Sequence, residues 1–110
     1  MSAENYSISF IPGDTKPIKL TRKSKTGVPV NMNGWPIRVE FFSCADRSKW
    51  IAPIRTWAEG AWLSNGGADG VITLHPNASE RAAVTGMHYR LVVSEPDGDR
   101  VLLSGRISEK

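Results

Sequence analysis

The last third of the chain alternates short apolar stretches with turn residues, and this pattern constrains the fold more than any other feature. Residues 71–75, 87–93 and 101–107 are rich in β-branched, aliphatic and aromatic side chains, as strands are. Asp97-Gly98 separates the last two stretches and is typical of a tight hairpin turn. Gly105 interrupts the final stretch and predicts a β-bulge there. This region therefore predicts short strands joined by tight turns.

The rest of the chain continues the same pattern and predicts an all-β, antiparallel β-sandwich of about seven to eight short strands. One short helical turn is expected near 77–84, where Asn77 is a candidate N-cap and Glu80 its capping-box partner. A length of 110 residues fits one domain, 1–110. Further strands or extended segments are predicted at 6–10, 18–20, 28–30, 37–42, about 50–57 and 61–64.

Composition excludes several classes of protein. No apolar run approaches the ~18 residues of a membrane span, so no membrane association is expected. The N-terminal residues 1–5 lack the basic and apolar regions of a signal peptide, which predicts an intracellular site of folding. Cys44 is the single cysteine, so no internal disulfide forms. Cys44 is interpreted as a small, half-buried filler rather than as a reactive thiol.

No catalytic, cofactor-binding or metal-binding residues are predicted. His75 and His88 are the only histidines, and their spacing to Cys44 and Asp69 matches no common metal-ligand pattern. No serine lies in the glycine context of a nucleophile elbow. The glycine-rich segment 65–70 lacks the lysine of a phosphate-binding loop and is interpreted as a turn.

The tryptophans are the strongest candidates for a binding role. Trp50, Trp57 and Trp62 fall in the least regular part of the chain, together with Arg55. Tryptophan and arginine are enriched at protein interfaces, so these four residues are predicted to include interface anchors. Truncation of Trp57 or Trp62 is then expected to disrupt assembly while leaving the monomer folded. An alternative is that the tryptophans form a stacking platform for sugars.

A basic stretch is the second candidate surface. Five cations and no acid occur within residues 16–25, in a chain whose formal net charge is only +3. Lysines of this kind also protect exposed sheet edges from aggregation, so a solvated edge strand is one interpretation. The other is a surface for an acidic partner or for a nucleic-acid backbone, although the small net charge is not that of a dedicated nucleic-acid binder and nucleic acid is not the expected partner. The five residues are Lys16, Lys19, Arg22, Lys23 and Lys25.

Six turn motifs follow one another along the chain. They are Gly13-Asp14-Thr15, Gly27-Val28-Pro29-Val30, the Asn31–Gly34 turn before 37–42, Asp69–Leu74, Gly86–Val93 and Asp97–Ile107. Their order resembles that in a family of small structural proteins and N-terminal modules of tailed phages and prophages. It is similar to the immunoglobulin-like N-terminal domain of upper baseplate proteins of phages that infect Gram-positive hosts. The resemblance covers most of the chain except the tryptophan-rich middle.

The resemblance implies an immunoglobulin-like fold and a non-enzymatic virion role as an adaptor, decoration, tail or baseplate component. The implied partners are other virion proteins, and the chain is expected to be a homo-oligomer or a repeated copy in an assembly. It would be made in the cytoplasm of the bacterial host and would end up in the virion. The chain departs from the family at the 31–34 turn and in its tryptophan-rich segment.

Overall fold

A computed structural model describes residues 4–5, 7–10, 16–23, 26–28, 30–43, 46–60 and 62–109. The expectations for Tyr6, the Gly13–Thr15 turn, Lys25, Pro29 and Cys44 lie outside these described residues. The described residues form nine strand segments and one α-helix. In chain order they are β1 (Glu4–Asn5), β2 (Ile8–Phe10), β3 (Ile18–Thr21), β4 (Ile37–Phe42), β5 (Arg55–Ala58), β6 (Leu63–Asn65), β7 (Val71–Leu74), α1 (Ala78–Val84), β8 (His88–Glu95) and β9 (Gly98–Glu109).

The strands form two sheets. The large sheet has the order β1/β2–β9–β8–β4–β5, in which β1 and β2 are two segments of one interrupted edge strand along β9. The small sheet has the order β3–β7–β6. Counted this way, the described part of the chain has eight strands. The expected mostly-β, two-sheet architecture with a short helix near 77–84 is therefore confirmed.

Two details of the predicted strands are wrong. The arrangement is not purely antiparallel, because β1 and β2 both run parallel to β9. The segment predicted as a strand from about residue 50 becomes one only at Arg55, because a short 3-10 turn at Arg47–Lys49 and an irregular stretch precede it. The expected hairpin between β8 and β9 does form, with Glu95 opposite Gly98.

The bulge in β9 lies at Leu102 and not at Gly105, where the sequence predicted it. Gly105 pairs regularly with Tyr89, whereas Leu102 is the extra residue between two successive pairs of β8 and β9. An extra residue reverses the alternation of side chains beyond it. Val101 therefore points outward and is 37% exposed, although uninterrupted alternation along β9 would place it on the same face as the buried Ile107.

One hydrophobic core fills the space between the sheets. It is built from the inward side chains of alternating positions in both sheets, which is what two packed β-layers require. Fully buried side chains from the large sheet include Val39, Phe41, Trp57 and Leu91, and those from the small sheet include Ile72. No helix among the described residues is both long enough and apolar enough to cross a membrane.

Helix α1 closes the core on one side, and Asn77 caps it as predicted, whereas the Glu80 side chain turns to β5 and does not act as the predicted capping-box partner. Asn77 Oδ1 accepts a hydrogen bond from the Glu80 amide at 2.8 Å, which satisfies one of the free amides of the first turn. The carboxylate of Glu80 reaches across to β5. Its Oε1 accepts hydrogen bonds from Trp57 Nε1 at 2.7 Å and from Arg55 Nη1 at 2.9 Å. The helix is thereby attached to the edge of the large sheet.

Arg81 attaches the same helix to the opposite edge. Its buried guanidinium donates to the carbonyl oxygens of Pro76 at 3.1 Å and Lys16 at 2.6 Å, and lies 4.9 Å from the centre of the Phe10 ring. A buried charge needs partners of this kind to remain stable. Arg81 thus holds β2 and the chain that precedes β3 against the helix.

Candidate interaction surfaces

Trp57 is a core residue and not a surface anchor. Its side chain is 2% exposed, its ring meets Phe41 edge to face with centroids 4.6 Å apart, and its indole N–H is used by Glu80. A ring with no exposed surface cannot contact a partner in this fold. The expectation that Trp57 is an interface anchor is corrected accordingly, and its truncation would unfold the monomer rather than spare it.

Trp50 is also removed from the surface, by a different arrangement. It is 8% exposed and stacks on Phe42, with ring centroids 4.6 Å apart and an interplanar angle of 3°. Phe42 alternates with the inward residues of β4, so its ring lies on the outer face of the large sheet. Trp50 therefore covers an aromatic ring that the sheet would otherwise expose. The prediction that the Trp50 ring is an interface anchor is therefore wrong for this fold, because Phe42 occupies its face and little of it is exposed.

Trp62 and Trp35 are half-buried and pack against the core. Each retains some exposed surface, so the prediction of Trp62 as an interface residue stays a prediction. With Trp50 and Trp57 buried, the four rings do not form the broad exposed platform that the carbohydrate hypothesis requires.

The irregular stretch does expose apolar surface, through isoleucines rather than tryptophans. Ile51 is 88% and Ile54 58% exposed, and both belong to what we call the apolar loop, residues 50–54. The loop leads directly into β5, which pairs with β4 on one side and ends the large sheet on the other. Arg55, the first residue of β5, is exposed and forms an ion pair with Glu80 at 2.9 Å. Apolar side chains beside a strand edge are features of surfaces that bind other chains.

The outer face of the large sheet carries a set of paired charges, which we call the arginine ladder: Asp99, Arg38, Glu40 and Arg90. Glu40 is buried and accepts hydrogen bonds from Arg90 Nε through one oxygen and from Arg38 Nε at 3.2 Å through the other. Arg38 Nη2 also donates to Asp99 Oδ2 at 3.0 Å. The ladder continues into the aromatic pair, because the Arg90 guanidinium lies 5.0 Å from the centre of the Phe42 ring.

Arginines lower the pKa of two carboxylates, Asp99 and Glu95, at the hairpin end of the large sheet. Hydrogen bonds from Arg38 and Ser94, followed by the charge of Arg38, lower the pKa of Asp99. The hydrogen bond from Arg100 lowers the pKa of Glu95 against an opposing effect of burial, and Arg22 assists it. Both carboxylates are therefore held ionised by arginines of the same chain.

The outer face of the small sheet has a different composition, and we call it the cationic face. Lys19 of β3, Thr73 of β7 and Ser64 of β6 lie in one row across the three strands, since Thr73 pairs with both of the others. The hydroxyl of Ser64 is 2.8 Å from Nε2 of His75, which follows β7. Thr21 extends the face along β3. The strands β3, β6 and β7 contain no acidic residue.

The side chains of the basic stretch do not all lie on one surface. Lys16, Lys19 and Lys23 are exposed, whereas Arg22 turns the other way and forms an ion pair with Glu95 at 2.9 Å. Lys25 lies outside the described residues. Of the five predicted residues, therefore, Arg22 is used within the fold, and Lys19 and Lys23 lie on the side of the cationic face.

The structure places the two histidines in different sheets. His75 follows a strand of the small sheet, whereas His88 begins β8 in the large sheet with its ring 6.5 Å from that of Trp50. Within the described ranges, no group of three His, Cys, Asp or Glu side chains could hold a metal ion.

Sequence reasoning missed Glu80, Arg81 and Glu40 as organising residues. Each acts through partners distant in the chain, such as Trp57, Lys16 and Arg90. The one local signal was the alternation of charge in β4, Arg38 and Glu40 on one side against apolar residues on the other.

Comparisons with protein-family models, with curated proteins and with solved structures found no match.

Proposed function

We propose that this chain is a non-enzymatic structural or assembly protein of a phage or prophage virion, and that it acts by protein–protein contacts. The observation that carries the proposal is the apolar loop, where Ile51 and Ile54 are exposed and lead into β5, a strand whose outer edge pairs with no other described strand. Burying two such side chains against a partner would contribute about 1.5–3 kcal/mol each. The order of turn motifs along the sequence supports the virion setting.

The proposed fold identity is immunoglobulin-like, and the strand order supports it. In immunoglobulin domains, the second, fifth and fourth strands share one sheet, and the third, sixth and seventh share the other. Here β3, β7 and β6 form one sheet, and β4, β8 and β9 are neighbours in the other, joined by β5. The chain departs from antibody domains in that the buried tryptophan, Trp57, comes from β5 and no disulfide accompanies it.

The proposed mechanism has two parts that lie side by side. The apolar loop supplies hydrophobic contact, and the adjoining edge of β5 offers backbone groups to which a strand of a neighbouring subunit can add. The basic stretch would steer the approach of an acidic partner. Since virion components are repeated symmetrically, a repeated copy or a homo-oligomer is the expected form in the assembly, and the virion is its proposed location.

A non-enzymatic role is supported by how the polar groups are used. The arginines and carboxylates of the ladder, of α1 and of the β8–β9 hairpin bind one another in fixed pairs. Such pairs organise a surface and occupy these charged groups within the fold. The burial of Trp50 and Trp57 counts against the alternative of a carbohydrate-binding module.

The test is co-purification with the proteins encoded by the flanking genes. We expect those genes to encode portal, capsid, tail or fibre proteins, and one product to form a complex with the wild-type chain. The variant Ile51→Ser/Ile54→Ser should lose that complex and keep its fold. The control Val28→Ser changes a residue that is 59% exposed in a different loop and should bind as wild type does.

An unchanged complex in the double variant, or flanking genes of unrelated metabolism, would contradict the proposal. Titration with host polysaccharides while following tryptophan fluorescence tests the alternative. A saturable change that Trp62→Ala abolishes would favour sugar binding instead.

A further inference from the structure

The outward side chains of the small sheet all have the same electrostatic sign or none. Lys19 and His75 are the titratable groups of the cationic face, and neither can carry a negative charge. The remaining outward positions of β3, β6 and β7 are Thr21, Ser64, Thr73 and the half-buried Val71. Asp69, the nearest described acid along the chain, lies in the 3-10 turn before β7 and outside the sheet. The face therefore offers hydrogen-bond donors and positive charge together.

The lysines of this face are not used within the described fold. The ion pairs of the described residues involve Arg22, Arg38, Arg55, Arg90 and Arg100 but neither Lys19 nor Lys23. Both lysines are exposed, and Lys19, Thr21 and Lys23 alternate with half-buried residues along the chain. Four residues of extended chain place Lys19 and Lys23 about 13 Å apart.

We propose that the cationic face binds an acidic, extended segment of a partner protein. In an extended segment that runs beside β3, two carboxylates that are four positions apart have the same spacing as Lys19 and Lys23. The hydroxyl of Thr21, which lies on β3 between the two lysines, then supplies a hydrogen bond between the two ion pairs. β3 is the outer strand of its sheet among the described residues, so its edge lies beside the lysines. This surface is separate from the apolar loop and adds a second contact to the proposed function without depending on the first.

A protein partner fits this face better than nucleic acid does. Single-stranded nucleic acid is held largely by bases stacked on aromatic side chains, and no outward position of β3, β6 or β7 carries an aromatic ring. Duplex binders neutralise on the order of 6–10 phosphates, whereas the face presents two lysines. Carboxylates, which are small and can be spaced along a strand, match two ammonium groups with the Thr21 hydroxyl between them.

The experiment is an NMR titration of the full chain with poly-L-glutamate at about 0.15 M ionic strength, where exposed charges are screened beyond ~8 Å. We expect amide shifts confined to β3, β6, β7 and His75. Reversing both lysines in Lys19→Glu/Lys23→Glu should weaken binding at least about tenfold, a difference of ~1.4 kcal/mol. The control Lys49→Glu reverses an exposed lysine away from this face and should bind as wild type does.

Absence of binding, shifts centred outside the small sheet, or equal binding by the double variant would each overturn the inference. So would tighter binding of a 20-base-pair DNA duplex to the same residues, because nucleic acid would then be the partner. The Ile51→Ser/Ile54→Ser variant should bind poly-L-glutamate normally. Loss of co-purification in this variant tests the proposed function, whereas loss of poly-L-glutamate binding in the lysine variant tests the cationic face. The two results can therefore be distinguished.

Discussion

The outer faces of the two sheets differ in whether their charged side chains are paired within the fold. On the large sheet, Arg38 and Arg90 share the buried carboxylate of Glu40, and Trp50 covers the ring of Phe42 beside them. On the small sheet, Lys19 faces hydroxyl groups and has no carboxylate in its row. The charges on the outer face of the large sheet are therefore paired with one another, whereas the charge of Lys19 on the small sheet is available to another molecule.

The difference originates in which residues the strand register brings face to face. Glu40 of β4 lies directly opposite Arg90 of β8, so unlike charges meet across the strands. In the small sheet Lys19 lies opposite Thr73 and Thr21 opposite Val71, and no acid is present to meet the lysine. The charges on the outer face of the large sheet are therefore paired within the fold, whereas Lys19 has no such partner among the described residues.

The largest expected effect comes from uncovering the large face. Phe42→Ala removes a ring that is buried beneath Trp50 and contacts Arg90, and should lower the free energy of unfolding by about 3 kcal/mol. Urea unfolding followed by circular dichroism measures it. Thr21→Ala on the cationic face is the matched control, with a change within about 0.5 kcal/mol. Equal effects of the two substitutions would abolish the contrast between the faces.

A smaller effect is expected from breaking the ladder at its centre. Glu40→Gln keeps the shape of the side chain but leaves two arginines without their shared charge, and should cost about 1–2 kcal/mol because water still reaches both guanidiniums. Asp97→Asn, in the exposed turn of the β8–β9 hairpin, is the control and should be near neutral. If the two variants unfold at the same denaturant concentration, Glu40 does not stabilise the large face.

Acid should weaken the large face alone. The pKa of Asp99 is lowered in the fold by Arg38 and Ser94, so its contribution is present above the ordinary aspartate pKa of about 3.9 and is lost as the pH falls through the folded value. The stability difference between wild type and Asp99→Asn should therefore close at low pH. Thermal unfolding of both proteins from pH 7 to about pH 2 measures it. A constant difference over this range would show that the carboxylate charge is not what Arg38 uses.

The smallest effect is expected from the cationic face. Lys19→Gln removes a charge that has no partner among the described residues, so the free energy of unfolding should change by at most about 0.5 kcal/mol. Calorimetry at low and high salt would detect a small gain at low salt if Lys19 and Lys23 repel one another. A loss of 1 kcal/mol or more would mean that Lys19 stabilises the fold after all.

Local signals in the sequence predicted the local structure well. Asp97-Gly98 marked the β8–β9 hairpin, Asn77 marked the start of α1, and the alternation at 37–42 marked the central strand β4. The features that failed are set by contacts across the chain. The parallel pairing of β1 and β2 with β9 and the position of the bulge at Leu102 depend on strand register, which no short stretch of sequence specifies.

The candidate surfaces show the same limit. Tryptophan content directed the interface hypothesis to residues 50–62, but whether a ring is buried depends on its neighbours in space. Glu80 accepts a hydrogen bond from the indole of Trp57, and Phe42 stacks on Trp50. Neither partner is a neighbour of its tryptophan in the sequence. Ile51 and Ile54 lie in the same segment, and no local sequence pattern distinguishes these exposed isoleucines from buried ones.

Helix α1 has a consequence for how the sandwich opens. Glu80 holds β5 and Arg81 holds Phe10 and the carbonyl oxygen of Lys16, so two consecutive residues latch opposite margins of the large sheet. Transient unfolding of these seven helical residues would release both margins in one event. Amide hydrogens of β2 and β5 should then exchange with solvent at a shared rate, although no hydrogen bond joins the two strands.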